Sequence, residues 1–351
     1  MRRNTTIGRT LALGLVTVLS VTTLVACGDD DEETGTAAED TTSTSAGDSG
    51  GETEEGSEPA DVGSMEVGLV CGGLTPMTAQ VAVNTDAFAE SGLEVEKICF
   101  DGGSEGVQAL IGGGIDVFLG SYEHIASTRG EGLDMKGYAV INKSFPYWLL
   151  TKEDAPFTDV ADLAGETVGV TSPGSLSDTG LKAAAVEADL DYTQLSVIGA
   201  GSGAPMKAAL DNDQIAAGMV SDPGISELTA TGYRILWEPE FDYVSIVAVA
   251  SEGWVQDNEA AMRAFLGTLQ DTAEQMKEDP AFALEAMTEE GFNVSEDALR
   301  AAVERGIEQI PDGLAVDEAQ VQQTGDILIS VGKAEEPGLA FDEGFDFSYL
   351  R

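Results

Sequence analysis

The chain has 351 residues, with 63 Asp and Glu against 17 Lys and Arg, a net charge of −46. So acidic a surface speaks against direct nucleic-acid binding, and the length exceeds what one compact core needs, so two lobes are expected. With one histidine and three cysteines, a zinc cluster or a histidine-based catalytic triad lacks its residues, and no metal or cofactor is expected.

Residues 1–27 read as a signal peptide. Arg2, Arg3 and Arg9 precede the apolar run LALGLVTVLSVTTLVA, which is short for a membrane span. The run ends in Leu24-Val25-Ala26-Cys27. That order resembles the lipobox of bacterial lipoproteins, which makes Cys27 the expected lipidation site. Residues 28–62 follow with thirteen acids and no base. Such a segment buries too little apolar surface to offset its ordering entropy, and its self-repulsion extends it. It reads as an acidic disordered tether.

From Met65 onward strand and helix patterns alternate. MEVGLVCG is an expected strand, Thr78–Glu90 a helix, LEVEKICF a strand, Ser104–Ile111 a helix and IDVFLG a strand. The helix-like YEHIASTRGEG then leads to the strand MKGYAVI. A second unit repeats the pattern from AGETVGVTS through LSVIGAGSG and IAAGMVS to YRILWE. Shifted by 100 residues, Gly103, Leu110, Ile115 and Ser121 fall on Gly203, Leu210, Ile215 and Ser221. A further strand, Phe241–Trp254, precedes helices near 258–277, 280–287, 295–309 and 316–331. The pattern is α/β, with largely parallel sheets in two similar lobes. Residues 64–148 form the first part of lobe 1, 149–243 form lobe 2, and 244–351 return to lobe 1 and add the C-terminal helices. Two crossings, near 144–150 and 241–248, would make the hinge.

Ligands of open parallel sheets sit beyond the carboxyl ends of the strands. In lobe 1 those ends carry Gly73, Leu74 and Thr75, then Ser104, then Gly120, Ser121 and Tyr122. In lobe 2 they carry Ser172, Gly174 and Ser175, then Ser202, then Ser221 and Asp222. Glycine lets backbone approach a ligand, and helix starts offer free N–H groups. These thirteen residues are the candidate ligand contacts. Each also has a local explanation: Ser104 caps a helix, Ser175 with Asp178 makes a capping box, and Asp222 caps the helix behind it. No Lys or Arg falls in these loops, which leaves Asp222 as a free carboxylate for a nitrogen-bearing ligand. Phe145, Tyr147 and Trp148 either pack the hinge or offer a stacking face. The glycine turns lack the lysine of a phosphate-binding loop, and no G-x-S-x-G elbow with a histidine partner is present, so no catalytic residue is assigned. Cys71 and Cys99 stand at strand ends outside the reducing cytosol. They are either bridged or two buried free thiols.

The stretches FDGGSEGVQALIGGGIDVFLGS, DLAGETVGVTSPGS, AALDNDQIAAGMVSDP and FDFSYL resemble the extracytoplasmic solute-binding proteins of ABC importers. The group most similar is that for nitrate, sulfonates, taurine and thiamine-type pyrimidines. The resemblance implies a two-lobed periplasmic-binding-protein-like fold (type II) with the ligand cleft between the lobes. It implies no enzyme activity, capture of a small molecule, delivery to a membrane permease, a monomeric state and a place on the outer face of the bacterial cell membrane. An enzyme on the same fold and a ligand-presenting sensor are the alternatives.

Overall fold

The computed structural model describes residues 62–335 and 338–351. The signal peptide, Cys27 and the tether up to Asp61 lie outside the described residues.

Two five-stranded sheets organise the described residues. The first contains β1 (Gly63–Val70), β2 (Leu93–Phe100), β3 (Val117–Ser121), β4 (Met135–Ser144) and, returning late, β10 (Asp242–Ser251), in the order β2-β1-β3-β10-β4. The second contains β5 (Trp148–Lys152), β6 (Thr167–Val170), β7 (Ser196–Gly199), β8 (Ala217–Val220) and β9 (Tyr233–Trp237), in the order β7-β6-β8-β5-β9. The parallel trio β2-β1-β3 and its counterpart β7-β6-β8 are joined by helices, as the repeat at 100 residues requires. The sheets are mixed rather than largely parallel. β10 runs antiparallel to both β3 and β4, and β5 runs antiparallel to β8 and β9. Each of these strands enters its sheet straight from the other lobe, without a crossover helix, and so arrives reversed.

The chain passes between lobes twice, at Phe145-Pro146-Tyr147 and at 238–241. Trp148 therefore opens a strand of lobe 2, and Asp242 and Tyr243 already belong to lobe 1. The sequence places both exchanges slightly later, because the apolar runs continue across them without a break. Phe145 packs edge-on against Trp237, Phe241 and Tyr243, with ring centroids 6.2, 5.6 and 5.1 Å away. Asn142 Nδ2 donates to Gln309 Oε1 at 2.8 Å and ties this hinge to the helix Glu296–Glu308.

The glycine-rich stretch after Phe100 has a packing cause. A Cβ on Gly106 or on Gly120 would lie 2.2 Å from the ring of Phe118, which is fully buried in the middle of β3. The expected helix Thr78–Glu90 is two helices, Met77–Asn84 and Ala87–Glu90, because Asp86 takes the left-handed conformation at φ 56°. FDFSYL docks on β4, where Phe345 bridges Gly137 and stacks on Tyr122 at 5.5 Å. Cys71 and Cys99 are joined by a disulfide, Cα to Cα 5.4 Å, across the ends of the adjacent strands β1 and β2. No helix among the described residues is long and apolar enough to cross a membrane.

Candidate functional site

The carboxyl ends of β1, β3, β6 and β8 face one another across the gap between the sheets. Between them lies a small, partly open cavity of about 20 Å³, lined by Thr75, Gly120, Ser121, His124, Tyr147, Thr171 and Ser175 among others. Its walls combine the hydroxyls of Thr75, Ser121, Tyr147, Thr171 and Ser175 and the imidazole of His124 with the apolar side chains of Val70, Leu119, Leu176 and Ile246. On the lobe 2 side, Thr171 Oγ1, Ser175 Oγ and Ser177 Oγ form a closed triangle with sides of 2.9–3.0 Å. On the lobe 1 side the groups are not spent. Ser121 Oγ and His124 Nε2 are buried, 3% and 5% exposed by residue, and neither makes a hydrogen bond of ordinary geometry; the Tyr243 hydroxyl, which also lacks one, lies beside Ser121. Unpaired buried polar atoms cost about 1–3 kcal/mol each. Two of them in one cavity mark a place where a ligand's polar atoms would be welcomed.

His124 sits in the first turn of the helix Tyr122–Gly130, which starts directly from β3. Its Nε2 lies 3.0 Å from where a Cβ on Gly103 would be, so glycine at that position keeps its space free. Burial lowers its pKa from 6.5 to about 3, and Lys333 acts in the same direction. The ring is neutral throughout the physiological range. Burial also raises the Tyr147 hydroxyl, with Thr171 and Ser221 alongside pulling it back.

No charged side chain lines this cavity; the charged groups of the cleft lie behind its walls or towards the hinge. Glu123 Oε1 lies 3.3 Å from Lys333 Nζ, and Glu123 also accepts from Thr179 of lobe 2. Burial raises the pKa of Glu123, and Lys333 and Thr179 oppose that rise. Lys333 Nζ also donates to Gly174 O at 2.7 Å, so this lysine binds both lobes. Asp178 accepts from Gly174 N at 2.9 Å and from Tyr192, and it pairs with Lys182 at 3.2 Å. At the hinge end Asp222 pairs with Arg305, whose guanidinium lies 5.3 Å from the Trp148 ring.

The thirteen candidate residues fall into three groups. Thr75, Gly120, Ser121 and Ser175 line the cavity. Gly73, Leu74, Ser104, Ser172, Gly174, Ser202, Ser221 and Asp222 form the seam where the lobes touch. Leu74 N donates to Asp222 O at 2.8 Å, and Ser104 Oγ donates to Pro173 O at 3.0 Å. A Cβ on Gly203 would lie 2.5 Å from Gly72 O, so the backbones meet where only glycine fits. Tyr122 belongs to neither group: it is 1% exposed and lies in the lobe 1 core against Phe345.

Three local expectations are corrected. Ser104 does not cap its helix, which begins at Gly103 with Gly102 as N-cap, because its hydroxyl reaches across to lobe 2. Ser175 and Asp178 make no capping box, since the serine is held in the hydroxyl triangle and the aspartate turns to Gly174 N. Asp222 is not a free carboxylate: Oδ1 accepts from Ser226 N and Oγ at 3.2 and 2.9 Å, and Arg305 takes Oδ2. The cleft does have cations, supplied by Arg305 and Lys333 from the C-terminal helical region, more than eighty residues away from the loops they meet. His124 was legible only as the chain's single histidine. Its position directly after a strand-end serine is the signal that would have found it.

The NMT1/THI5-like family matches residues 77–283. The chain belongs to that family. No curated protein matches it in sequence. Among solved structures, the alkanesulfonate-binding protein of Xanthomonas axonopodis pv. citri bound to MOPS is 19% identical, with 80% of this chain and 98% of that one covered, at a TM-score of 0.66. The ligand-binding component of an ABC-type import system from Staphylococcus aureus, with zinc bound, is 16% identical over 82% and 97%, at 0.65. The periplasmic nitrate-binding protein of Synechocystis PCC 6803 is 15% identical over 80% and 83%, at 0.62. The NMT1/THI5-like chain thus has the two-lobed α/β fold of periplasmic binding proteins, and structural neighbours of its fold are solute-binding proteins of sulfonate, nitrate and ABC import systems. Among its described residues no group of three or more His, Cys, Asp or Glu is arranged to hold a metal ion.

Proposed function

We propose that this protein is a solute-binding protein, attached through a lipid on Cys27 to the outer face of the bacterial cell membrane. It captures a small polar organic compound containing nitrogen or sulfur and delivers it to the permease of an ABC importer, as a monomer and without a cofactor or catalysis. The observation that carries this reading is the pair of buried atoms without a hydrogen bond of ordinary geometry, Ser121 Oγ and His124 Nε2, in a cavity between two lobes joined at a double crossing. A double crossing hinges the lobes, and a ligand that satisfies buried groups on one lobe while touching the other favours the closed form. The neighbours' printed functions, binding alkanesulfonate or nitrate, support the same class of role.

A thermal-shift series of sulfonates, amino-sulfonates, pyrimidines, nitrate and small amines tests it. A true ligand at a hundred times its Kd adds about 2.7 kcal/mol to the stability of the native state and raises Tm in proportion. A series in which no compound raises Tm counts against the reading. The anchor is tested separately: Cys27→Ala should release the mature protein from membranes, because the lipid would be its hydrophobic attachment. Retention of the variant on the membrane refutes the lipoprotein assignment.

A further inference from the structure

Three carboxylates stand next to cleft residues without lining the cavity itself: Glu123 beside His124, Asp178 in the first turn of the helix after Ser175, and Asp222 beside Ser221. Each already holds a cation, Glu123 with Lys333 at 3.3 Å, Asp178 with Lys182 at 3.2 Å and Asp222 with Arg305. The cations are committed further. Lys333 Nζ bonds Gly174 O at 2.7 Å, Lys182 lies over the Tyr192 ring at 5.1 Å, and Arg305 lies over Trp148. Helix starts carry acids as well. Glu123 and Asp178 occupy the first turns of the helices Tyr122–Gly130 and Leu176–Glu187, where an anionic ligand would otherwise meet the positive end of the helix dipole. The buried groups of these loops without a hydrogen bond of ordinary geometry are Ser121 Oγ, His124 Nε2 and Ser172 Oγ, a hydroxyl, a ring nitrogen and a second hydroxyl.

We infer that the cleft selects a ligand with no ionic group, such as an amide, urea or sulfonamide, and discriminates against sulfonate and nitrate anions. This rests on the solute-binding reading and specifies its ligand. An anion entering the cavity would meet no charged side chain in its walls, and the cations nearby are already paired, so desolvating it would go uncompensated. A cation would find no free carboxylate. A neutral polar group exchanges hydrogen bonds with Ser121 and His124 and leaves the three ion pairs intact. Charge balance at the site therefore comes from the protein, and the ligand has none to supply.

Two variants test this with defined probes. Glu123→Gln keeps the side-chain shape and leaves Lys333 without its carboxylate, and Asp222→Asn does the same for Arg305. Each should bind nitrate and methanesulfonate about ten- to a hundredfold more tightly than the wild type, the size of one new hydrogen bond to a charged group. In the wild type, methanesulfonamide should bind more tightly than methanesulfonate. The inference is overturned if the wild type prefers methanesulfonate, or if both variants unfold like the wild type yet gain no anion affinity. The variant gain is read with the probes themselves, so it decides the charge inference even if the wider series yields no natural ligand. That second failure would count against the solute-binding reading instead.

Discussion

The two ends of the cleft are bridged by cations in different surroundings. Glu123 is buried, 4% exposed, and Lys333 is half-buried, 16% exposed, and they are joined by Thr179 and Gly174 of lobe 2. Arg305 and Asp222 lie nearer solvent, 35% and 13% exposed, and Arg305 leans on Trp148. Both pairs connect the C-terminal part of lobe 1 or its helices to residues of the cleft. The difference teaches that closure is secured unequally. Removing the partner of the fully buried Glu123 costs much, because the remaining charge stays in a poor solvent, whereas at a pair nearer solvent water screens the charges and replaces the lost partner.

The largest effect should therefore follow Lys333→Met, which leaves Glu123 buried without its cation. A loss of about 3–5 kcal/mol in urea unfolding, or cleft opening in its place seen as a larger radius in small-angle scattering, is expected. Arg305→Met should cost about 1 kcal/mol or less by the same unfolding measurement. Equal losses would erase the distinction between the two ends.

A smaller effect separates the same ends by pH. His124 lies at the Lys333 end, and its pKa is lowered from 6.5 to about 3 by burial first and Lys333 second. A histidine depressed in the folded state stabilises that state fully above pH 6.5, and the contribution drains away as pH falls towards about 3. Glu123 works the other way: its raised pKa gives a contribution present below 4.5 that is lost as pH rises through the folded value. The difference between wild type and His124→Asn isolates the histidine. Across a series of unfolding curves from pH 7 to pH 4, the wild type should lose stability relative to the variant as pH drops. Parallel curves would mean that His124 is not held neutral by the closed cleft.

Much of the fold could be read from the residues because periodicity reports burial. The helix Gly103–Ile111 and the four long C-terminal helices stand within one or two residues of where their apolar stripes put them. β5 escaped notice because Trp148–Lys152 follows the crossing without punctuation, and a short apolar run carries no direction. The cleft was half legible. Strand ends can be read from local pattern, so Thr75, Ser121 and Ser175 were named, but whether a strand-end side chain faces the gap or the core depends on packing, which is why Tyr122 turned inward on Phe345. Arg305 and Lys333 were missed for another reason: their positions depend on how helices fold back over the cleft, and no local pattern carries that information. The mistaken freedom of Asp222 followed directly from that omission.

The central claim is that the solute sits between the lobes on Ser121 and His124. Calorimetric titration of the compound that most raises Tm, into wild type, Ser121→Ala and His124→Asn, tests it most directly. Losing a hydrogen bond to a buried group of the site should weaken binding in each variant by about 1–3 kcal/mol, roughly five- to a hundredfold, with the unfolding transition kept. Equal affinity in all three proteins would contradict the claim and move the ligand out of the cleft.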